Sequence, residues 1–132
     1  MIKQGDIYYF DLSGAKGSEQ QGIRPCLVMS NNDINTYSNI LIVVPLTTKK
    51  NDHYVQHYNL KINNRQNTIL FEQIRAIDKR RIVGKMTSLD NDNLTKILKK
   101  INKIFIGEKK NDTNLCRKNG NFRNVVWCDK RI

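Results

Sequence analysis

The sequence predicts a mainly β chain that ends in one helix, a small and strongly bent antiparallel sheet or barrel. Three observations carry this expectation. Short runs of β-branched and aromatic residues recur between turn formers from Ile7 to Met86. After Leu94 that pattern gives way to apolar residues at three- and four-residue spacing. A chain of 132 residues with 39% hydrophobic content is an ordinary globular composition, enough for one modest core.

The elements follow in order. Ile7-Tyr8-Tyr9-Phe10 reads as the first strand, and Asp11 to Lys16 turns the chain with Gly14 as punctuation. A polar loop, Gly17-Ser18-Glu19-Gln20-Gln21-Gly22, then leads through Ile23-Arg24-Pro25 into a second strand over Cys26–Ser30. Asn31-Asn32-Asp33 stops that strand, and the polar segment to Asn39 has room for a turn of helix. Ile40 to Leu46 is the most apolar run, expected to be a strand buried on both faces, with Pro45 at its end or at a sheet edge. Thr47-Thr48 closes it before a basic loop, Lys49 to His53. His57 to Ile62 alternates, with Tyr58, Leu60 and Ile62 on one face, and Asn63 to Asn67 is a turn. Thr68 to Ile77 alternates again as one strand, Asp78-Lys79-Arg80 breaks it, and Ile82 to Met86 forms a last short strand. Leu94, Ile97, Leu98, Ile101, Ile104 and Phe105 make one apolar stripe of a helix capped by Asp90 and ended by Gly107.

Charge narrows the partners. Twenty-three Lys and Arg stand against twelve Asp and Glu, a formal balance of +11. Residues 1–106 carry 16 of the basic and 9 of the acidic groups, so the excess does not reside in the tail. Such a surface attracts polyanions, chiefly nucleic acid, and equally an acidic protein. No run is long enough to span a membrane, and the N-terminus lacks a signal-peptide pattern, so the chain is expected in the cytoplasm. Cys26 reads as a small core residue, and Cys116 and Cys128 lack the close spacing of a zinc or redox pair. Composition shifts after Gly107 to Lys, Asn, Asp and Gly, which divides the chain into a domain over 1–106 and a basic tail over 107–132.

No phosphate-binding P-loop, dinucleotide fingerprint or HExxH motif is present. His53 and His57 have no acidic or cysteine neighbour suited to metal binding and read as solvated. Asp6, Asp11, Glu19 and Glu72 are scattered, with nothing in their spacing that pairs two carboxylates. There remain Arg24, at one strand start and biased to extended backbone by Pro25, and Thr47, at another strand end. If those strands are neighbours, a guanidinium and a hydroxyl converge on one phosphate. Each has a plainer reading: Arg24 paired with Glu19 or Asp11, and Thr47 capping its own strand.

GSEQQGIRP, then CLVMSNND, IVVPLTT and FEQIRAIDKRRI, in that order and spacing, resemble the MazF/PemK toxin family, as does the opening Lys3-Gln4-Gly5-Asp6-Ile7-Tyr8. The match covers about residues 2–106. The resemblance implies an SH3-like small antiparallel barrel with a C-terminal helix, a homodimer, and a toxin endoribonuclease of a type II toxin–antitoxin system. It implies cleavage of single-stranded RNA without metal or cofactor, leaving 2′,3′-cyclic phosphate and 5′-OH ends. It places catalysis on Arg24 and Thr47, and RNA contacts on Ser18, Glu19, Gln20, Asn31, Lys49, Lys50 and Gln73. An antitoxin with an acidic segment is the implied protein partner, with which such toxins bind DNA. One departure stands out: Ile23 occupies the place where some members carry a histidine, which removes a base there. Toxins of the same fold that poison DNA gyrase by binding, and a silent RNA-binding module, are the competing readings.

Overall fold

The computed structural model describes residues 1–14, 17, 21–49 and 57–107, with His57 described by its backbone alone. The compact unit considered first is Met1–Ile101; Asn102 begins the second unit. Among the described residues seven strands run in the order β1 Asp6–Asp11, β2 Ile23–Val28, β3 Ile40–Thr47, β4 His57–Ile62, β5 Arg65–Leu70, β6 Arg75–Asp78 and β7 Ile82–Ser88. A short helix α1, Asn32–Tyr37, joins β2 to β3, and α2, Asn91–Ile106, follows β7. All pairings are antiparallel, in the spatial order β4-β5-β3-β2-β1-β7, with β6 also on β3. The result is the mainly β, curled antiparallel sheet with a C-terminal helix that the sequence predicts.

Strand β3 is the hub. One edge pairs with β2 (Cys26↔Pro45, Leu27↔Val44, Val28↔Val43). The other pairs first with β6 (Leu41↔Ile77, Val43↔Arg75) and then with β5 (Leu46↔Ile69, Thr47↔Thr68). Between β5 and β6 the chain bends through a 3-10 turn at Phe71–Gln73. The single strand expected over Thr68–Ile77 is therefore two strands. Period-two alternation survives such a bend because each flanking strand keeps its own inward residues, Ile69 and Ile77.

That bend also explains Pro45, which lies inside β3 rather than at its end or at an edge. Ile42 turns both backbone groups towards β2: its carbonyl accepts from Met29 N–H at 2.8 Å and its N–H donates to Ser30 Oγ at 3.2 Å. Backbone groups alternate along a strand, so the nitrogen of Pro45 faces the other edge. There it meets the interval between Arg75 and Ile69 where the ladder is interrupted. Pro25 plays a related part on β2. The second strand starts at Ile23, earlier than the expected Cys26, and its ladder to β3 stops at Cys26, one residue after Pro25.

Both faces of the central strands are buried. Phe10, Leu12, Cys26, Val28, Leu41, Val43 and Ile77 form one cluster. Ile7, Leu27 and Val44, their neighbours of opposite parity, are also fully buried. Gly5 takes φ +95, and Leu94 of α2 approaches to 3.1 Å of where a side chain would begin, so this close approach requires glycine. In α2, Ile97 and Ile101 are buried, and Gly107 N–H closes the helix on the Lys103 carbonyl. Phe105, expected on the buried stripe, is 70% exposed; it lies past the compact unit that ends at Ile101.

A buried polar knot fixes the β2–β3 crossing. Ser30 Oγ donates to Asn35 Oδ1 at 2.5 Å, and Asn35 Nδ2 returns a bond to the Ser30 carbonyl at 2.9 Å. Both residues are under 5% exposed, so removing one partner strands a polar group away from water. Asn35→Ala is expected to lower the unfolding free energy by about 1–3 kcal/mol in chemical denaturation, with the slope against denaturant unchanged.

Candidate active site

Side chains on β2 and β3 alternate between faces, so one row on each strand can be followed outward from the core. On β2 the row is Val28, Cys26, Arg24; on β3 it is Leu41, Val43, Pro45, Thr47. Directly paired residues share a face, and Cys26 pairs with Pro45. The ladder between the two strands ends at that pair, and Arg24 and Thr47 each lie two residues beyond it in these rows, Arg24 paired with Phe10 of β1 and Thr47 with Thr68 of β5. Both rows thus change from apolar to polar at the same end of the pair. The strand neighbourhood on which the sequence made that convergence conditional is present.

Arg24 is exposed, and its Nε donates to the Gln21 carbonyl at 2.9 Å. On its other side β1 places Phe10 directly opposite. The loop that returns to Arg24 turns at Gly22, with φ +78, and Leu12 N–H donates to the Gly22 carbonyl at 2.8 Å. Thr47 is half-buried and its Oγ1 accepts from the Lys49 N–H at 3.2 Å. The plain capping role of Thr47 is therefore real. It does not compete with a phosphate contact, because accepting one bond orients the hydroxyl and uses one lone pair. Asp11 is engaged elsewhere: one carboxylate oxygen accepts from both Ser13 N–H and Ser13 Oγ. The Ser13 side chain, then its backbone, holds the Asp11 carboxyl below its ordinary value. That stabilisation is complete above the usual carboxylate range and is lost as pH falls through the lowered value.

A third strand adds an arginine to the same face, level with Val43. On β6, Ile77 faces Leu41 and Arg75 faces Val43, which puts half-buried Arg75 on the face shared by Cys26, Pro45 and Thr47. Burial pushes the Cys26 thiol up to about 12, and the Arg75 charge opposes that rise. Leu12, Pro45, Gln73 and Arg75, with Glu72, Ile74 and Ala76, line a cavity of about 350 Å³ where the ladder is interrupted at Pro45. Gln73, half-buried in the 3-10 turn, joins the site through this cavity. A cleft that combines a guanidinium, an amide and an apolar floor suits a phosphodiester with a base splayed from the stack; Arg24 and Thr47 are not part of its lining.

The remaining expected residues fall differently. Lys49 is exposed beside Thr47. Asn31 caps α1, its Oδ1 accepting from Ile34 N–H at 2.9 Å, seven residues from Arg24 along and past β2, on the order of 20 Å in extended chain. Ser18, Glu19, Gln20 and Lys50 lie outside the described residues, as do His53, Cys116 and Cys128.

A family model described as "PemK-like, MazF-like toxin of type II toxin-antitoxin system" matches residues 3–105. The chain belongs to this toxin family. It is 38% identical over 102 residues to endoribonuclease EndoA of Bacillus subtilis (strain 168), covering 74% of this chain and 88% of that protein. Among solved structures it is similar to MazF from Deinococcus radiodurans, with a TM-score of 0.69 at 22% identity, over 81% of this chain and 97% of that one. It is similar as well to a mycobacterial endoribonuclease in complex with its cognate antitoxin, with a TM-score of 0.68 at 18% identity, over 83% and 99% of the two chains. The two structural likenesses establish the PemK/MazF fold.

Arg75 is the site residue that reading the toxin sequence missed. It stands in the quoted block FEQIRAIDKRRI, but an arginine within an apparently continuous strand looks like a solvated face. Only the bend at Phe71–Gln73 and the pairing with Val43 turn it inward. The same burial makes a prediction for Cys26. In a variant whose other two cysteines are serine, the Cys26 thiol should resist a maleimide at pH 8 and react fully once denaturant unfolds the chain. Rapid labelling of the folded protein would contradict its place beneath the site.

Proposed function

We propose that this family member is a toxin endoribonuclease that cleaves single-stranded RNA at specific sequences, with Arg24 and Thr47 as its catalytic residues. The observation that supports this is the pairing of β2 with β3, in which Arg24 and Thr47 follow the paired Cys26 and Pro45 by two residues each, at the same end of the two strands. The Bacillus relative's name, endoribonuclease, supports the reaction class.

The chemistry asks little of the protein. The ribose 2′-oxygen attacks the adjacent phosphorus, the P–O5′ bond breaks, and the products carry a 2′,3′-cyclic phosphate and a 5′-OH. The 2′-OH gives up its proton and the departing 5′-oxygen gains one. Nucleophile and leaving group both belong to the substrate, so the reaction needs no metal-activated water. The protein's task is to align the attack and to neutralise charge on the phosphorane. Arg24 presents a planar, permanently charged fork to two phosphate oxygens, and Thr47 fixes the phosphate by its hydroxyl. Ile23, 58% exposed, offers no proton acceptor, so proton transfer falls to Arg24 or water. Arg75 and Gln73 hold the neighbouring nucleotide, and Lys49 and Lys50 approach backbone phosphates beside Thr47. Ser18, Glu19 and Gln20 line the channel on this reading, with Asn31 further along it.

Residues 1–106 form the toxin domain, and 107–132 a basic tail. The chain works as a cytoplasmic homodimer held in check by an acidic antitoxin. Among the described residues no helix is long and apolar enough to cross a membrane, and the +11 balance suits an acidic partner. The solved complex of the mycobacterial endoribonuclease with its antitoxin supports such a partnership.

Incubating the protein with a long single-stranded RNA in EDTA is expected to give discrete cuts with 5′-OH ends. Arg24→Ala should lower the cleavage rate by at least about 100-fold, the cost typical of losing one transition-state charge contact. RNA binding by that variant should weaken only by one phosphate contact. An intact RNA after incubation with folded wild-type protein would reject the nuclease, and binding to gyrase would then be the reading to test.

A further inference from the structure

The mechanism above leaves Arg81 without a task, yet its placement is specific. Arg80, its neighbour in the 3-10 turn Lys79–Arg81, pairs locally with Asp78 at 3.1 and 3.2 Å. Arg81 instead bonds the neighbouring strand end, where Ile82 pairs with Phe10 of β1. Its Nη1 donates to the carbonyl of Asp11 at 3.2 Å and to that of Ser13 at 3.1 Å, 70 and 68 residues away in sequence. Those carbonyls belong to the outgoing limb of the β1–β2 loop, the segment that carries Ser18–Gln20 and returns to Arg24.

The base from which Arg81 projects is held on two sides. Asp78 caps the turn by accepting from Arg80 N–H at 2.8 Å, and Lys79 N–H donates to the Asn39 carbonyl at 2.9 Å. The limb it grips is held internally by the Asp11–Ser13 bonds and passes its position on. Leu12 N–H ties the outgoing limb to the Gly22 carbonyl of the returning limb. The returning limb then presents the Gln21 carbonyl that Arg24 Nε donates to. Three sets of hydrogen bonds, joined by single peptide steps at Leu12 and between Gly22 and Gln21, therefore lead from Arg81 to the Arg24 guanidinium.

We infer that Arg81 is a positioning residue: by bridging the Asp11 and Ser13 carbonyls it holds the β1–β2 loop so that Arg24 is aimed at the substrate phosphate. This rests on the nuclease reading for its catalytic consequence, though the grip on the loop does not. Loops fray when few contacts tie them to the sheet. Without the bridge the loop samples arrangements in which Arg24 is misdirected, and the rate falls with the competent fraction.

The test compares Arg81→Met, which keeps the apolar stem, and Arg81→Lys, which keeps a cationic donor. Arg81 is exposed, so both variants should melt within about 3 °C of wild type. Hydrogen exchange at the Leu12 amide, read without RNA, is expected to quicken about 3- to 10-fold in Arg81→Met and to return towards wild type in Arg81→Lys. Single-turnover cleavage should fall by a similar factor in Arg81→Met and recover in Arg81→Lys. The salt dependence of binding to an uncleavable 2′-deoxy substrate should keep its wild-type slope. A slope shallower by about one phosphate contact would make Arg81 a direct RNA ligand and overturn the inference. So would unchanged exchange, a quickened loop with undiminished cleavage, or global unfolding of Arg81→Met. Failure of the nuclease reading itself appears separately, as wild-type protein that leaves RNA intact.

Discussion

The site depends on the two-residue period of side chains in the β2–β3 pair. With Cys26 opposite Pro45, Arg24 and Thr47 fall on the face that carries the apolar cluster, just past its end. A slip of one residue on β2 would put Arg24 on the other face and bring Ile23 and Pro25 into its row. The register is pinned at the far end, where Ser30, Asn35 and Ile42 bond one another under α1. Burial on both faces adds to the constraint, since a slip would also exchange Cys26 and Val28 for Leu27. The end that carries Arg24 and Thr47 is thus set by groups that lie at the opposite end of the same strands.

Strand β3 serves three partners, and its one proline sits where they divide. Because the nitrogen of Pro45 faces the interval between β5 and β6, no ladder bond is forfeited there. The 3-10 bend that fills this interval turns Gln73 and Arg75 to the cavity that Pro45 also lines. An interruption tolerated by the backbone and a polar recess at the site are therefore one feature. Positive charge gathers around it on fixed strand positions, and the formal balance of +11 extends the same sign over the chain. In the proposed nuclease, polyanion attraction and local phosphate binding would act in the same direction.

Much of this was legible in the sequence, for reasons that differ by element. The strands at Ile7–Phe10, Ile40–Thr47 and His57–Ile62 and the helix ended by Gly107 announce themselves by period and by punctuation. Arg24 and Thr47 were singled out by type and strand position, but their convergence needed a partner choice that periodicity does not encode. The division of Thr68–Ile77 was hidden because alternation is blind to a bend that preserves inward residues on both sides. For the same reason the sequence does not mark Arg75, and it points to an end or an edge for Pro45 rather than an interior position. Arg81 was invisible in principle: its grip on Asp11 and Ser13 spans most of the domain, and nothing local signals it.

Arg24 and Thr47 acting on a single phosphate is best examined by a double-mutant cycle on single-turnover cleavage, using Arg24→Lys, Thr47→Val and the pair. Two groups that hold one phosphate fail together, so the double variant should be scarcely slower than the worse single one, with a coupling of about 1–3 kcal/mol. Losses that simply multiply would mean that the two side chains act at separate places, and would contradict the register-built site.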